Sequence, residues 1–255
     1  MFDGPARLFG DYRIEIARTG SSRNGHTFGG PPDRTGASRD NSKGVLLHLL
    51  HRLNLRDPRI PFTIPGFAWV PLYYCFDFRV NELGYRLTSD ESMEVYFPKR
   101  ERNVSRDESW PYEDYPLQFP RAQIKLSGLK YDPTDLEDAF HWAGIFGIDK
   151  LSSRQQAAAK RRAAKDSELM TGVLPDSEAE FREALSLPFP QGRPIDLCLN
   201  PGCPNRRREG QLEVVAMIPG EPVKGMHIFG PDFDHVIVIV LKCPKCNAFR
   251  VSNQM

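Results

Sequence analysis

The sequence predicts an α+β fold: a mostly antiparallel β-sheet with a helical insert and a C-terminal zinc-ribbon-like module. Three observations carry this. Short runs alternating apolar and polar residues, separated by turn formers, recur before residue 133 and after residue 188. Between them, residues 134–187 hold three helix-start signals in sequence rich in helix formers. Four cysteines fall in two close pairs, Cys198 with Cys203 and Cys243 with Cys246, each beside a strand-like run. The 22 prolines and 20 glycines among 255 residues fit many turns and short elements, and argue against a helix bundle. The expected organisation is an N-terminal strand and flexible arm (1–44), a β-rich part (45–133), a helical segment (134–187) and a zinc-ribbon-like β module (188–255). The alternative is one composite domain over residues 45–255.

Taken in order, Tyr12-Arg-Ile-Glu-Ile16 alternates and is expected as an edge strand. Residues 18–44 contain six glycines, two prolines, four serines and no aliphatic side chain larger than alanine, with Phe28 the single large apolar group. Such a stretch offers little burial to offset its ordering entropy, so a flexible arm is expected. Val45–Leu55 is a compact apolar segment in which helix and strand are both open. His48 and His51 lie three apart there, with no acidic or thiol partner nearby, and are read as a structural flank rather than metal ligands.

Residues 61–120 are rich in aromatics, proline and hairpin signals. Gly66–Phe78 predicts a buried strand after a turn, with Cys75 an inert thiol inside it. Gly84–Thr88 and Met93–Phe97 flank Ser89-Asp-Glu-Ser92, a hairpin turn by composition. Trp110-Pro-Tyr-Glu-Asp-Tyr-Pro116 is a stiff aromatic-proline loop, a contact surface if exposed. Ala122–Leu126 alternates and predicts another strand. Capping boxes at Thr134–Glu137, Ser153–Gln156 and Ser177–Glu180 then predict three helices. The second carries Arg154, Lys160, Arg161, Arg162 and Lys165 over a shallow apolar face. A solvated face is the favoured reading there and phosphate contact the sharper one.

The cysteine pairs are the sharpest chemical signal. His235–Lys242 feeds Cys243-Pro-Lys-Cys246, and Phe249–Asn253 follows as a strand, so this pair sits at a hairpin tip. The first pair, with Pro201-Gly202 as its turn, precedes the strand-like Gln211–Ile218. Two knuckles between strands are the plan of a zinc ribbon. Thiolates at all four positions leave no vacant place for water or substrate, which makes the expected Zn²⁺ structural. His227, Asp232, Asp234 and His235 are read as a turn between strands rather than a second site. Arg206-Arg-Arg208 forms a small basic spot beside the first knuckle.

Residues 195–254, through these knuckles and their strand order, resemble the zinc-bearing end of bacterial YwqG-like proteins and, more faintly, the programmed cell death protein 2 family. The resemblance carries only Cys198, Cys203, Cys243 and Cys246 across, as metal ligands. It implies protein-binding roles, chaperone-like or as immunity to a secreted toxin.

A formal net charge of +1 gives no sign of wholesale binding to nucleic acid or to anionic membrane. The longest apolar run, Val236–Leu241, is too short to span a bilayer, and no apolar signal region follows Met1, so a cytoplasmic location and no membrane partner are expected. No phosphate-binding loop, nucleophile elbow, His-Glu-x-x-His or dinucleotide fingerprint is present. The expectation is therefore a zinc-binding, non-enzymatic protein-binding factor with no catalytic residues assigned. The alternatives are a nucleic-acid-associated ribbon protein using Arg206–Arg208 and the 154–165 helix, and an enzyme whose site assembles only in three dimensions.

Overall fold

A computed structural model describes residues 7–8, 12–16, 24–77, 80, 82–98, 118–128, 153, 154, 157, 161, 197–208, 211–220, 227–229 and 236–254. The chain divides into two compact units, Phe2–Gly128 with Ile195–Met255, and Leu129–Pro194 with Met1.

In the first unit the described strands are β1 (Arg7–Leu8), β2 (Tyr12–Ile16), β3 (Thr27–Phe28), β4 (His48–Asn54), β5 (Trp69–Tyr74), β6 (Glu82–Leu87), β7 (Met93–Tyr96), β8 (Ala122–Gly128), β9 (Glu213–Pro219), β10 (Ile237–Lys242) and β11 (Phe249–Gln254). They form one sheet in the order β5-β4-β3-β8-β2-β1-β9-β10-β11-β6-β7, with every pairing antiparallel. Alternation places the core. On β8, Ala122, Ile124 and Leu126 are buried while the residues between them are more open. All six residues of β10 are buried, so that strand is covered on both faces.

The ends of the sheet come together in one hydrophobic cluster that holds Leu72 and Tyr73 of β5 beside Tyr85 of β6 and Phe249 of β11. Tyr85 makes the join. Its hydroxyl donates to the Pro71 carbonyl at 2.8 Å and accepts the Tyr73 amide at 3.3 Å. Pro71 has no N–H to offer, so the β5 edge presents few pairing groups, and the tyrosine hydroxyl takes two of them.

Four expectations are corrected. The described fold is antiparallel β, not α+β with a helical insert: among the described residues no helix reaches seven residues. Of the expected helical segment only Ser153, Arg154, Ala157 and Arg161 are described, each helical and exposed, and the remainder lies outside the described residues. Capping boxes and alanine-rich composition are local signals, and a helix draws most of its stability from a packed apolar face. Second, the C-terminal strands do not form a separate ribbon module. β9, β10 and β11 sit mid-sheet, between β1 and β6.

Third, the expected flexible arm is folded from residue 24 onward. Thr27 and Phe28 pair with both β4 and β8, and His26, Phe28 and Ala37 are buried. Order here comes from polar side chains satisfying the backbone rather than from aliphatic burial. Asp40 accepts the Gly36 and Ser38 amides, and Asn41 bonds the Gly36 and Val45 carbonyls and the Val45 amide. Gly29 has φ +64°, and a Cβ there would lie 2.5 Å from the Pro120 carbonyl oxygen, so glycine alone permits the approach to β8. The open question at Val45–Leu55 resolves as strand, with His48 and His51 buried. Fourth, β2, expected at an edge, lies between β1 and β8.

Candidate metal centre

Two loops from distant parts of the sequence carry the cysteines to one point. The first runs from Leu197 to Cys203 and continues into a short 3-10 helix, Pro204–Arg207. Its shape is fixed locally. The Cys198 amide donates to the Asn205 carbonyl (3.2 Å), the Cys203 amide to the Asn200 carbonyl (3.1 Å), and the Gly202 amide to Asn200 Oδ1 (3.0 Å). The second loop turns from β10 into β11. There the Cys243 amide donates to the Ala248 carbonyl (2.8 Å) and the Asn247 amide to the Cys243 carbonyl (2.9 Å). Asn247 sits at φ +55°, a conformation asparagine tolerates better than most side chains.

The first loop is anchored to the sheet at two places. Arg250 of β11 is buried, pairs with Glu82 of β6, and donates from Nη1 to the Leu197 carbonyl at 2.6 Å. Leu199 packs over Gly84 of β6 so closely that a Cβ on that glycine would lie 2.9 Å from Leu199 Cβ. Any larger residue at 84 displaces the loop carrying Cys198.

The four sulfurs lie within 4.8 Å of one another. Cys198 Sγ is 3.5 Å from Cys246 Sγ, and Cys203 Sγ is 3.6 Å from Cys243 Sγ. All four are free thiols, three buried and Cys246 half-buried. A tetrahedral ion about 2.3 Å from each sulfur requires sulfurs roughly 3.8 Å apart, so the cluster fits a metal ion with only small adjustments. The surroundings fit as well. The Cys243 sulfur accepts backbone N–H groups of Cys246 and Lys245, the Cys198 sulfur that of Asn200, and the Cys203 sulfur that of Asn205. Asn205 Nδ2 also donates to Cys243 Sγ at 3.5 Å. Donors aimed at sulfur stabilise thiolate charge and orient the ligands. Burial pushes the Cys198 thiol up and the Cys203 thiol up to about 11. Burial opposes ionisation of Cys243 as well, but its N–H donors outweigh that and lower its pKa.

The structure thus brings together all four cysteines singled out from spacing. Cys75 lies apart from them in the hydrophobic core. His227 is half-buried and not part of the sulfur cluster, while Asp232, Asp234, His235 and the Trp110–Pro116 loop lie outside the described residues. Arg207 and Arg208 are exposed beside the first knuckle, with Arg206 half-buried.

Sequence reasoning missed the supporting groups. Asn205 is one, Arg250–Glu82 another. A third set lies at the rim: Tyr96 of β7 packs on the sulfur cluster, and its hydroxyl and Arg86 Nη2 (3.0 Å) both donate to Glu94. It also missed a buried polar network. His26 Nε2 lies 2.8 Å from Asp57 Oδ2, and the Asn54 amide donates to His26 Nδ1 at 2.9 Å. Nδ1 therefore accepts and Nε2 carries the proton donated to Asp57. Asp57 also accepts from Asn24 Nδ2 (2.6 Å) and from Arg59 Nε and Nη2. Both imidazole nitrogens are engaged and the His26 and Asp57 side chains are fully buried, so this His–Asp pair has no nitrogen to present to a substrate and acts as a clasp. Burial holds the His26 pKa below its usual value despite the neighbouring carboxylate.

Compared with protein-family models, curated proteins and solved structures, the chain matches none. Among the described residues, no helix is long and apolar enough to cross a membrane.

Proposed function

We propose that this chain is a non-catalytic binding protein whose four cysteines hold one structural Zn²⁺. The observation that carries the proposal is the convergence of four thiols within 4.8 Å on two loops whose amides point at sulfur. Soft thiolates in a compact tetrahedral set favour Zn²⁺ over hard, oxygen-seeking cations. With sulfur at all four positions there is no open place for a reacting water, so the ion supplies cohesion rather than Lewis-acid chemistry. It ties Cys198, before β9, to Cys246, after β10, and so fastens the two loops at one end of the mid-sheet strands. Kinship with YwqG-like proteins through residues 195–254 belongs to the same proposal and is supported by the two cysteine knuckles and the strand order around them. A protein partner of the chaperone-like or immunity kind belongs to it too, resting on that kinship and on the Trp110–Pro116 loop.

The test is elemental analysis of the purified chain together with thermal melting before and after strong chelation. One zinc per chain and a lowered melting temperature on chelation are expected. A metal-free preparation with an unchanged melt contradicts the proposal.

A further inference from the structure

The two knuckles that gather the thiols also gather positive charge. Arg206, Arg207 and Arg208 follow Cys203 after Pro204 and Asn205, with the Arg206 amide bonded to the Cys203 carbonyl (3.1 Å), which fixes their place beside the sulfur cluster. Lys245 lies between Cys243 and Cys246 at the exposed tip of the second knuckle. Because the four sulfurs lie within 4.8 Å of one another, these cations from opposite loops share one end of the protein. Among the described residues none of the four forms an ion pair. The carboxylates described nearby are already engaged: Glu94 with Arg86, and Glu213 with Lys242 at 3.7 Å.

We propose that this knuckle face binds the phosphate backbone of a single-stranded nucleic acid, with Arg206, Arg207, Arg208 and Lys245 as the phosphate-contacting groups. The inference rests on the binding-protein reading above and names a ligand class for it. Two features favour nucleic acid over an acidic protein. The exposed residues described here are Pro201, Gly202, Pro204, Arg207, Arg208, Pro244 and Lys245, with no exposed aromatic or large aliphatic anchor among them of the kind a protein interface needs at its centre. Protein–nucleic acid contacts are more polar and more positively charged. Three of the four cations are also arginines, whose planar forks match phosphate oxygens in pairs. Tyr96, half-buried against the thiols, adds one aromatic ring at the same end, a feature of single-strand platforms.

The experiment uses the full-length, metal-loaded chain and a fluorescein-labelled 20-nucleotide single-stranded RNA of mixed sequence. Anisotropy is read across a salt series, and single-stranded DNA and a poly-glutamate peptide serve as competitors. Four phosphate contacts predict that log K falls against log salt with a slope of roughly −3. The neutralising pair Arg207→Gln with Lys245→Gln is expected to bring that slope to roughly −1.5 and weaken binding at least tenfold at low salt, with zinc content unchanged. Competition by single-stranded DNA but not by poly-glutamate is the expected pattern.

No RNA binding at low salt overturns the proposal. So does an unchanged slope in the variant, or equal competition by poly-glutamate, which would indicate an acidic protein partner. If the cations serve only to balance thiolate charge, the variant loses zinc while the salt slope stays as it was, which also overturns it. Zinc content, measured on the same samples, keeps the two proposals apart: binding without zinc contradicts the metal centre alone, and zinc without binding contradicts this inference alone.

Discussion

Replacing Asp57 with asparagine removes the acceptor at the centre of the clasp that holds residues 24–30 to the sheet. The carboxylate is fully buried and accepts from Asn24, His26 and Arg59. Asparagine offers one oxygen and turns an N–H₂ toward groups that are themselves donors. Breaking a buried charge pair costs about 3–5 kcal/mol, and the lower end applies because Arg59 is one-third exposed and turns to water. At about 2–4 °C per kcal/mol for a chain of this size, a cost of about 3 kcal/mol lowers the melting temperature by about 6–12 °C. The acid limb of the stability curve changes as well. Burial raises the Asp57 pKa, but the Arg59 and His26 donors outweigh it and hold the carboxyl well below the usual carboxylate range. A depressed folded pKa contributes stability above the unfolded pKa and loses it as the pH falls toward the folded one. The variant therefore loses that part of the decline below about pH 4. Calorimetry at pH 7 and denaturant titrations from pH 7 to 3 measure both effects. A melting shift under about 2 °C, or an unchanged acid limb, refutes the clasp.

Other outcomes follow from the same geometry. Gly84→Ala sets a Cβ 2.9 Å from Leu199 Cβ, and this overpacking is expected to cost about 1–3 kcal/mol in denaturant titration while weakening metal retention against a chelator. Asn205→Leu removes the side-chain donor to Cys243 Sγ, with about 10–100-fold weaker metal affinity expected in competition with a chromogenic chelator. Cys243→Ser is expected to abolish stoichiometric metal and, because β9–β11 lie mid-sheet between β1 and β6, to lower hydrogen-exchange protection across the sheet rather than in β9–β11 alone. His51 is buried with neither ring nitrogen hydrogen-bonded among the described residues, and desolvation, aided by His26, lowers its pKa to about 3. Since the unfolded chain takes up that proton first, stability falls as the pH drops below about 6.5, and His51→Phe is expected to flatten the slope between pH 6 and 4.

The cysteine knuckles were legible in the sequence because their information is local. Spacing within each pair, the turn residues between them and the adjoining strands all lie within a few positions. The β8 strand and the Ser89–Ser92 hairpin turn were readable for the same reason. Sheet order was not, because pairing β1 with β9 and β6 with β11 joins residues far apart in the chain, and nothing in either strand names its partner. The ordered loop over 24–44 was hidden differently. Its stability comes from Asp40, Asn41, His26 and Asp57 satisfying backbone and side-chain groups, whereas composition registers only the shortage of aliphatics. Gly84 and Arg250 escaped notice because their roles exist only once Leu197 and Leu199 lie across them.

The most direct test of the metal centre is X-ray absorption at the zinc edge on the chain as purified. One zinc per chain with four sulfur neighbours at about 2.3 Å, and no nitrogen or oxygen neighbour, is the predicted result. Absence of bound metal, or a first shell containing oxygen or nitrogen, contradicts the four-thiolate structural site.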